Sequence, residues 1–105
     1  MRKLYYLDIV ANYDSDFVWK LFNNWRIGIW TTRKSGLIAL KQLKDLIKYT
    51  FKDDIKIEKK YGNTISVVLY KGTFKGDYFS ANKDNFFEAC DDYHAIEERY
   101  ICGRW

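Results

Sequence analysis

The stretch from Leu37 to Phe51, LIALKQLKDLIKYTF, carries the strongest periodic signal in the chain. At about 100° per residue, Leu40, Leu43, Leu46, Ile47 and Phe51 fall on one side, which predicts a helix with one buried face. Lys41, Lys44, Lys48 and Lys52 line up beside that face, so a basic stripe borders the apolar one. The preceding Arg33-Lys34-Ser35-Gly36 reads as a turn, with Ser35 placed to cap the helix.

Toward the N-terminus, Lys3 to Ala11 is rich in Tyr, Leu, Ile and Val without a helical stripe. It predicts a first strand buried on much of both faces, hence inside a sheet. Asp14 or Ser15 can cap a short helix through Trp25, with Phe17, Val18, Leu21, Phe22 and Trp25 on one arc and Trp19 outside it. Arg26 to Thr32 then predicts a second strand.

Toward the C-terminus, Ile55 to Lys59 alternates as a strand does. Tyr61-Gly62-Asn63-Thr64 reads as the turn of a hairpin, followed by a strand through Ile65, Val67, Val68, Leu69 and Tyr70. Lys71 to Asp77 reads as a bulge or turn, and Tyr78 to Ala81 as a short strand. Asn85 with Glu88 forms a capping-box pattern for a last helix running to about Tyr100, with Phe86, Ala89, Cys90, Tyr93, Ile96, Glu97 and Tyr100 on one face. The predicted order is β-α-β-α-β-β-β-α: a single α+β domain over residues 1–105, mainly antiparallel, with about three helices packed on the sheet.

The 105 residues suffice for one core, and 48% hydrophobic residues without any proline exclude a disordered or collagen-like chain. No apolar run approaches the roughly 18–20 residues of a membrane helix, so no membrane partner is expected. Two cysteines, Cys90 and Cys102, do not make a disulfide framework, and Asp8 interrupts the short apolar start. Both features point to a cytoplasmic protein without a signal peptide. Aromatic residues, at 19%, suit both a small core and a binding surface.

The net charge of +4 conceals a strong asymmetry. Between Lys20 and Lys75, 13 Lys and Arg face four acids, whereas between Asp77 and Glu98 one lysine faces seven. The basic part joins Arg33 and Lys34, the stripe Lys41, Lys44, Lys48 and Lys52, and the expected hairpin residues Lys56, Lys59 and Lys60. Such a surface can meet phosphates or an acidic protein. Lysine predominates over arginine, which favours contact with a backbone over reading of bases. The acids Asp84, Glu88, Asp91, Asp92 and Glu98 are expected on the outer face of the last helix.

Catalytic and metal patterns are thin. On a helix, Cys90, His94 and Glu98 would share a flank, which supplies part of a zinc site or a thiol-imidazole pair, but neither a full ligand set nor an oxyanion site accompanies them. Lys71 to Tyr78 partly follows an RNA-binding strand signature, yet Thr73 and Lys75 stand where its leading aromatics belong.

A lone domain of this size, free of proline and rich in Lys, Ile, Asp and Tyr, resembles the small accessory proteins of phages and mobile elements, anti-CRISPR and other anti-defence proteins among them. The resemblance implies inhibition by occupying a surface, and carries no individual residue across. The leading expectation is therefore a non-enzymatic protein without cofactor or metal that binds a larger protein or nucleoprotein through the lysines, with Trp19 or Trp30 as anchor. The alternative is a module that binds nucleic acid directly through the same lysines. A small metal or Cys/His enzyme is the third reading, and homodimerisation a further expectation for an aromatic-rich domain.

Overall fold

The computed structural model of the chain describes residues 2–13, 15–24, 28–76, 81–82 and 84–103, with every side chain except those of residues 22–24. The expectations for Asp14, for Trp25 to Ile27 and for the short strand at residues 78–80 lie outside the described residues.

Among the described residues, four strands, β1 (Arg2–Ala11), β2 (Ile29–Trp30), β3 (Ile65–Phe74) and β4 (Asp92–Cys102), form one antiparallel sheet in the order β2-β1-β3-β4. The helices are α1 (Asp16–Asn24), α2 (Arg33–Thr50), α3 (Lys52–Lys60) and the single turn α4 (Phe86–Ala89). The α+β class, the antiparallel sheet and the internal position of the first strand match the sequence reading.

Because strand side chains alternate between faces, the two apolar rows of β1 build two separate cores. Tyr5, Leu7 and Ile9 join Val67 and Leu69 of β3 beneath α1 and α2. Leu4 and Tyr6 face the other way, against Phe74 and Phe86. That is why β1 and β3 read as nearly continuous apolar runs.

Ser15 Oγ accepts a hydrogen bond from Val18 N at 3.2 Å, and α1 buries Phe17, Val18 and Leu21. Trp19, outside that arc, is 57% exposed. On α2, Leu40, Leu43 and Ile47 are buried against the sheet, each stabilising the fold by about 1.5–3 kcal/mol. Leu46, predicted on that face, is 45% exposed, so the buried arc is narrower than the apolar one. The helix also starts earlier than expected: Thr32, not Ser35, is the cap, its Oγ1 accepting from Ser35 N at 3.1 Å.

Several element assignments are corrected, among them Lys71 to Phe74, which continues β3 and is not a turn. Residues 55–59 are helix, not strand, so Lys56, Lys59 and Lys60 belong to α3 and not to a hairpin. Ile55 is half-buried against the helix-side core and Ile57 is 54% exposed, because residues two apart lie on different sides of a helix. Gly62 and Asn63 close that helix: Asn63 N donates to Glu58 O and Gly62 N to Lys59 O, with Gly62 at φ 74°. This is a left-handed glycine cap of the Schellman type, not a hairpin turn.

The last helix is only one turn, and Cys90 already has the extended values φ −82° and ψ 146°. From Asp92 onward the chain is β4, paired with β3 from Thr73↔Asp92 to Ile65↔Cys102. Two register shifts, between Leu69/Tyr70 and between Ile65/Ser66, leave Ile96 and Ile101 as additional residues on β4. The bulge at Ile96 lets Tyr93 and Tyr100, opposite Gly72 and Ser66, share one face although seven residues apart, a spacing that also fits a helix. The acidic outer helix face is corrected with it: Glu98 lies opposite Val68 in the sheet, and Asp91 Oδ2 accepts from Lys75 N.

Candidate binding groove

The two basic segments of the sequence meet in space. The lysine flank of α2 and the body of α3 both lie along β4, which among the described residues has no further strand beyond it in the sheet. Between them runs a groove of about 500 Å³ lined by Lys48, Lys52, Lys56, Lys59 and Arg99 over Ile55 and Ile101. A second hollow of about 380 Å³ carries Lys41 and Lys44 beside Leu40, and shares Arg99 with the first. Seven cationic side chains therefore follow one line, against two carboxylates, Glu97 and Glu98.

Local chemistry leaves this surface strongly positive. Glu97 is paired with Arg99, whose Nη1 also donates to the Glu98 carbonyl at 3.0 Å. The Glu98 carboxylate accepts from Ser66 Oγ at 2.9 Å. Lys44 meets Asp45 at 3.4 Å. Among the described residues, Lys41, Lys48, Lys52 and Lys56 have no carboxylate within ion-pair distance. Lysines arranged this way keep their charge for an external partner, with an effect that salt screens over about 10 Å at 0.1 M.

The predicted site residues divide accordingly. Lys41, Lys44, Lys48, Lys52, Lys56 and Lys59 are brought together, whereas Arg33, Lys34 and Lys60 are exposed but line neither hollow. Trp30 is half-buried and packs against the helix-side core, while Trp19 is largely solvent-facing on α1. Sequence reasoning missed Arg99, Ile55 and Ile101, all of which depend on seeing α3 as a helix and residues 92–102 as a strand.

The opposite face absorbs much of the aromatic content. Tyr6 stacks with Phe86 at 4.9 Å, and Phe87 meets Tyr70 at 5.0 Å and Tyr93 at 4.7 Å, ring centre to ring centre. Asp8 lies half-buried on this face, and burial raises its carboxyl above the usual range despite a hydrogen bond from Ile9 N. Burial first, then the charges of Asp8 and Asp84, pushes the Tyr6 phenol up to about 12.

The helical alignment expected for Cys90, His94 and Glu98 does not form. Cys90 packs beside the Phe86 core, His94 pairs with Lys71 in the sheet, and Glu98 with Val68. Among the described residues, no three His, Cys, Asp or Glu side chains are grouped to hold a metal. No described helix is long and apolar enough to cross a membrane. No family model, curated protein or solved structure matches the chain.

Proposed function

We propose that this is a non-enzymatic binding protein that sets its lysine-lined groove against an anionic surface of a larger protein or nucleoprotein and blocks access to it. The observation that carries this reading is the line of seven cations from Lys41 to Arg99, opposed by two carboxylates that already have partners within the fold. Proteins bearing such potentials steer and hold oppositely charged partners. The resemblance in size and composition to anti-defence proteins agrees with inhibition by occlusion.

Direct binding of nucleic acid is the second reading, favoured by the near-regular spacing of Lys41, Lys44, Lys48 and Lys52. The experiment compares two double reversals. Lys48→Glu with Lys56→Glu removes charge from the groove, and Arg33→Glu with Lys34→Glu removes as much outside it. Each brings the net charge from +4 to zero. Fluorescence anisotropy is followed at about 50 and 200 mM salt with labelled duplex DNA, single-stranded RNA and an acidic peptide. The reading expects binding lost in the groove variant and kept in the other. Equal losses in both variants contradict it, and binding confined to nucleic acid selects the second reading.

A further inference from the structure

The groove follows a strand edge. Glu98, Arg99, Tyr100, Ile101 and Cys102 are consecutive, yet all five line it. From Glu98 to Tyr100, before the bulge at Ile101, successive side chains point to opposite faces, so a hollow bordered by all three runs along the edge of β4 and not over one face. β4 pairs with β3 on one side and, among the described residues, is the outermost strand on the other. An outer antiparallel strand turns alternate N–H and C=O groups away from its neighbour, a template for one more strand; at Glu98 these groups are met by the exposed side chains of Glu97, at 3.3 Å, and Arg99, at 3.0 Å, which an added strand displaces. The two bulges leave Glu97 to Tyr100 as the regular stretch between them.

We propose that the groove takes an extended acidic segment of a partner protein, which adds to the sheet at Glu97–Tyr100 and turns a carboxylate toward the lysines at every second residue. This rests on the binding-protein reading above and names the chemistry of its partner. Three features select that occupant. The outer edge of β4 offers backbone donors and acceptors in alternation, which a polypeptide matches and a phosphodiester chain does not. The floor of Ile55 and Ile101 is apolar, which suits the methylene stems of the carboxylate side chains that the peptide turns toward the helices. The line of cations on one flank matches the alternation of an added strand, since the side chains on its helix-facing side all meet α2 and α3. A second copy of this chain is disfavoured because it would bring the same cations against these.

The test uses the whole protein and a labelled peptide of about ten residues alternating Glu and Val. Two further versions carry N-methyl groups, one on the Glu amides and one on the Val amides. In an added strand only one of these sets faces β4. Methylation of that set weakens binding about tenfold or more, and methylation of the other changes it less than about twofold. Hydrogen exchange at Glu97–Tyr100 slows when the unmodified peptide is bound. Equal behaviour of the two methylated peptides, with binding still lost in the Lys48→Glu, Lys56→Glu variant, overturns strand addition while leaving the binding-protein reading intact. If neither the peptide nor nucleic acid binds in a lysine-dependent way, both fall together.

Discussion

Gly72 of β3 sits under the Phe86 ring, and Gly72→Ala puts the packing of the second core to the test. A Cβ at this position would lie 2.5 Å from Phe86 Cζ, 3.0 Å from Cε2 and 3.3 Å from Cys90 Cβ. Gly72 does not have a positive φ, so alanine fits the backbone and gains about 0.4–1 kcal/mol by restricting the unfolded chain. Against that stands an overlap of roughly 1 Å with a ring that is 1% exposed and wedged between Tyr6 at 4.9 Å and Phe74 at 5.9 Å. The ring cannot swing aside, and relief requires α4 to lift. Overpacking costs about 1–3 kcal/mol, and an approach this close falls in the upper half of that range, about 2–3 kcal/mol; less the entropic gain, the net loss is about 1–2.5 kcal/mol. Urea unfolding followed by circular dichroism should show a lower midpoint at an unchanged slope. Gly72→Ala with Phe86→Leu removes the clashing ring edge, and should be more stable than the sum of the single effects by about 1 kcal/mol. An unchanged or raised midpoint for Gly72→Ala, or strict additivity, would refute the packing of Phe86 over Gly72.

Asp8→Asn should raise the urea midpoint at pH 7 and lose that advantage near pH 3. The folded carboxyl is raised by burial, so its contribution is favourable below the unfolded value of 3.8 and is lost as pH rises through the folded one; an advantage that persists at pH 3 would count against this. Tyr6 and Tyr70 are both raised, burial leading, so stability should fall as pH rises from 10 toward 12, with part of the tyrosinate absorbance appearing late. Simple titration of all nine tyrosines near pH 10 would contradict it. Cys102 is 4% exposed, its thiol pushed up by burial, and should react with a disulfide reagent more slowly than half-buried Cys90 until urea is added. Equal rates in the native protein would show that the end of β4 opens readily.

Where local and tertiary signals coincided, the sequence was a sound guide. β1 and α2 announce themselves because each buries a full row or stripe, and Trp19 stands outside its arc as expected. α3 was harder: its two isoleucines alternate like a strand. The better signal was charge, with Asp53 and Asp54 in the first turn and Lys59 and Lys60 in the last, as the helix dipole favours. β4 was not legible by periodicity, since its bulges give apolar residues a helical spacing and an edge strand tolerates charges. Lys41, Lys44, Lys48 and Lys52 were legible as a stripe, whereas Lys56 and Lys59 were placed on a hairpin. Their meeting with Arg99 and the outer edge of β4 was not legible, because that depends on which element lies next to α2.

The most direct measurement of the groove's role is the affinity of the alternating Glu-Val peptide for three proteins: the natural chain, the Lys48→Glu, Lys56→Glu variant and the Arg33→Glu, Lys34→Glu variant. Salt is fixed at about 50 mM and folding of each protein is verified by urea unfolding. The natural chain should bind, with at least about a tenfold loss in the groove variant and less than about a threefold loss in the other, though both carry the same net charge. Equal weakening by the two variants would show that overall charge, not this groove, holds the anion, and would contradict the account.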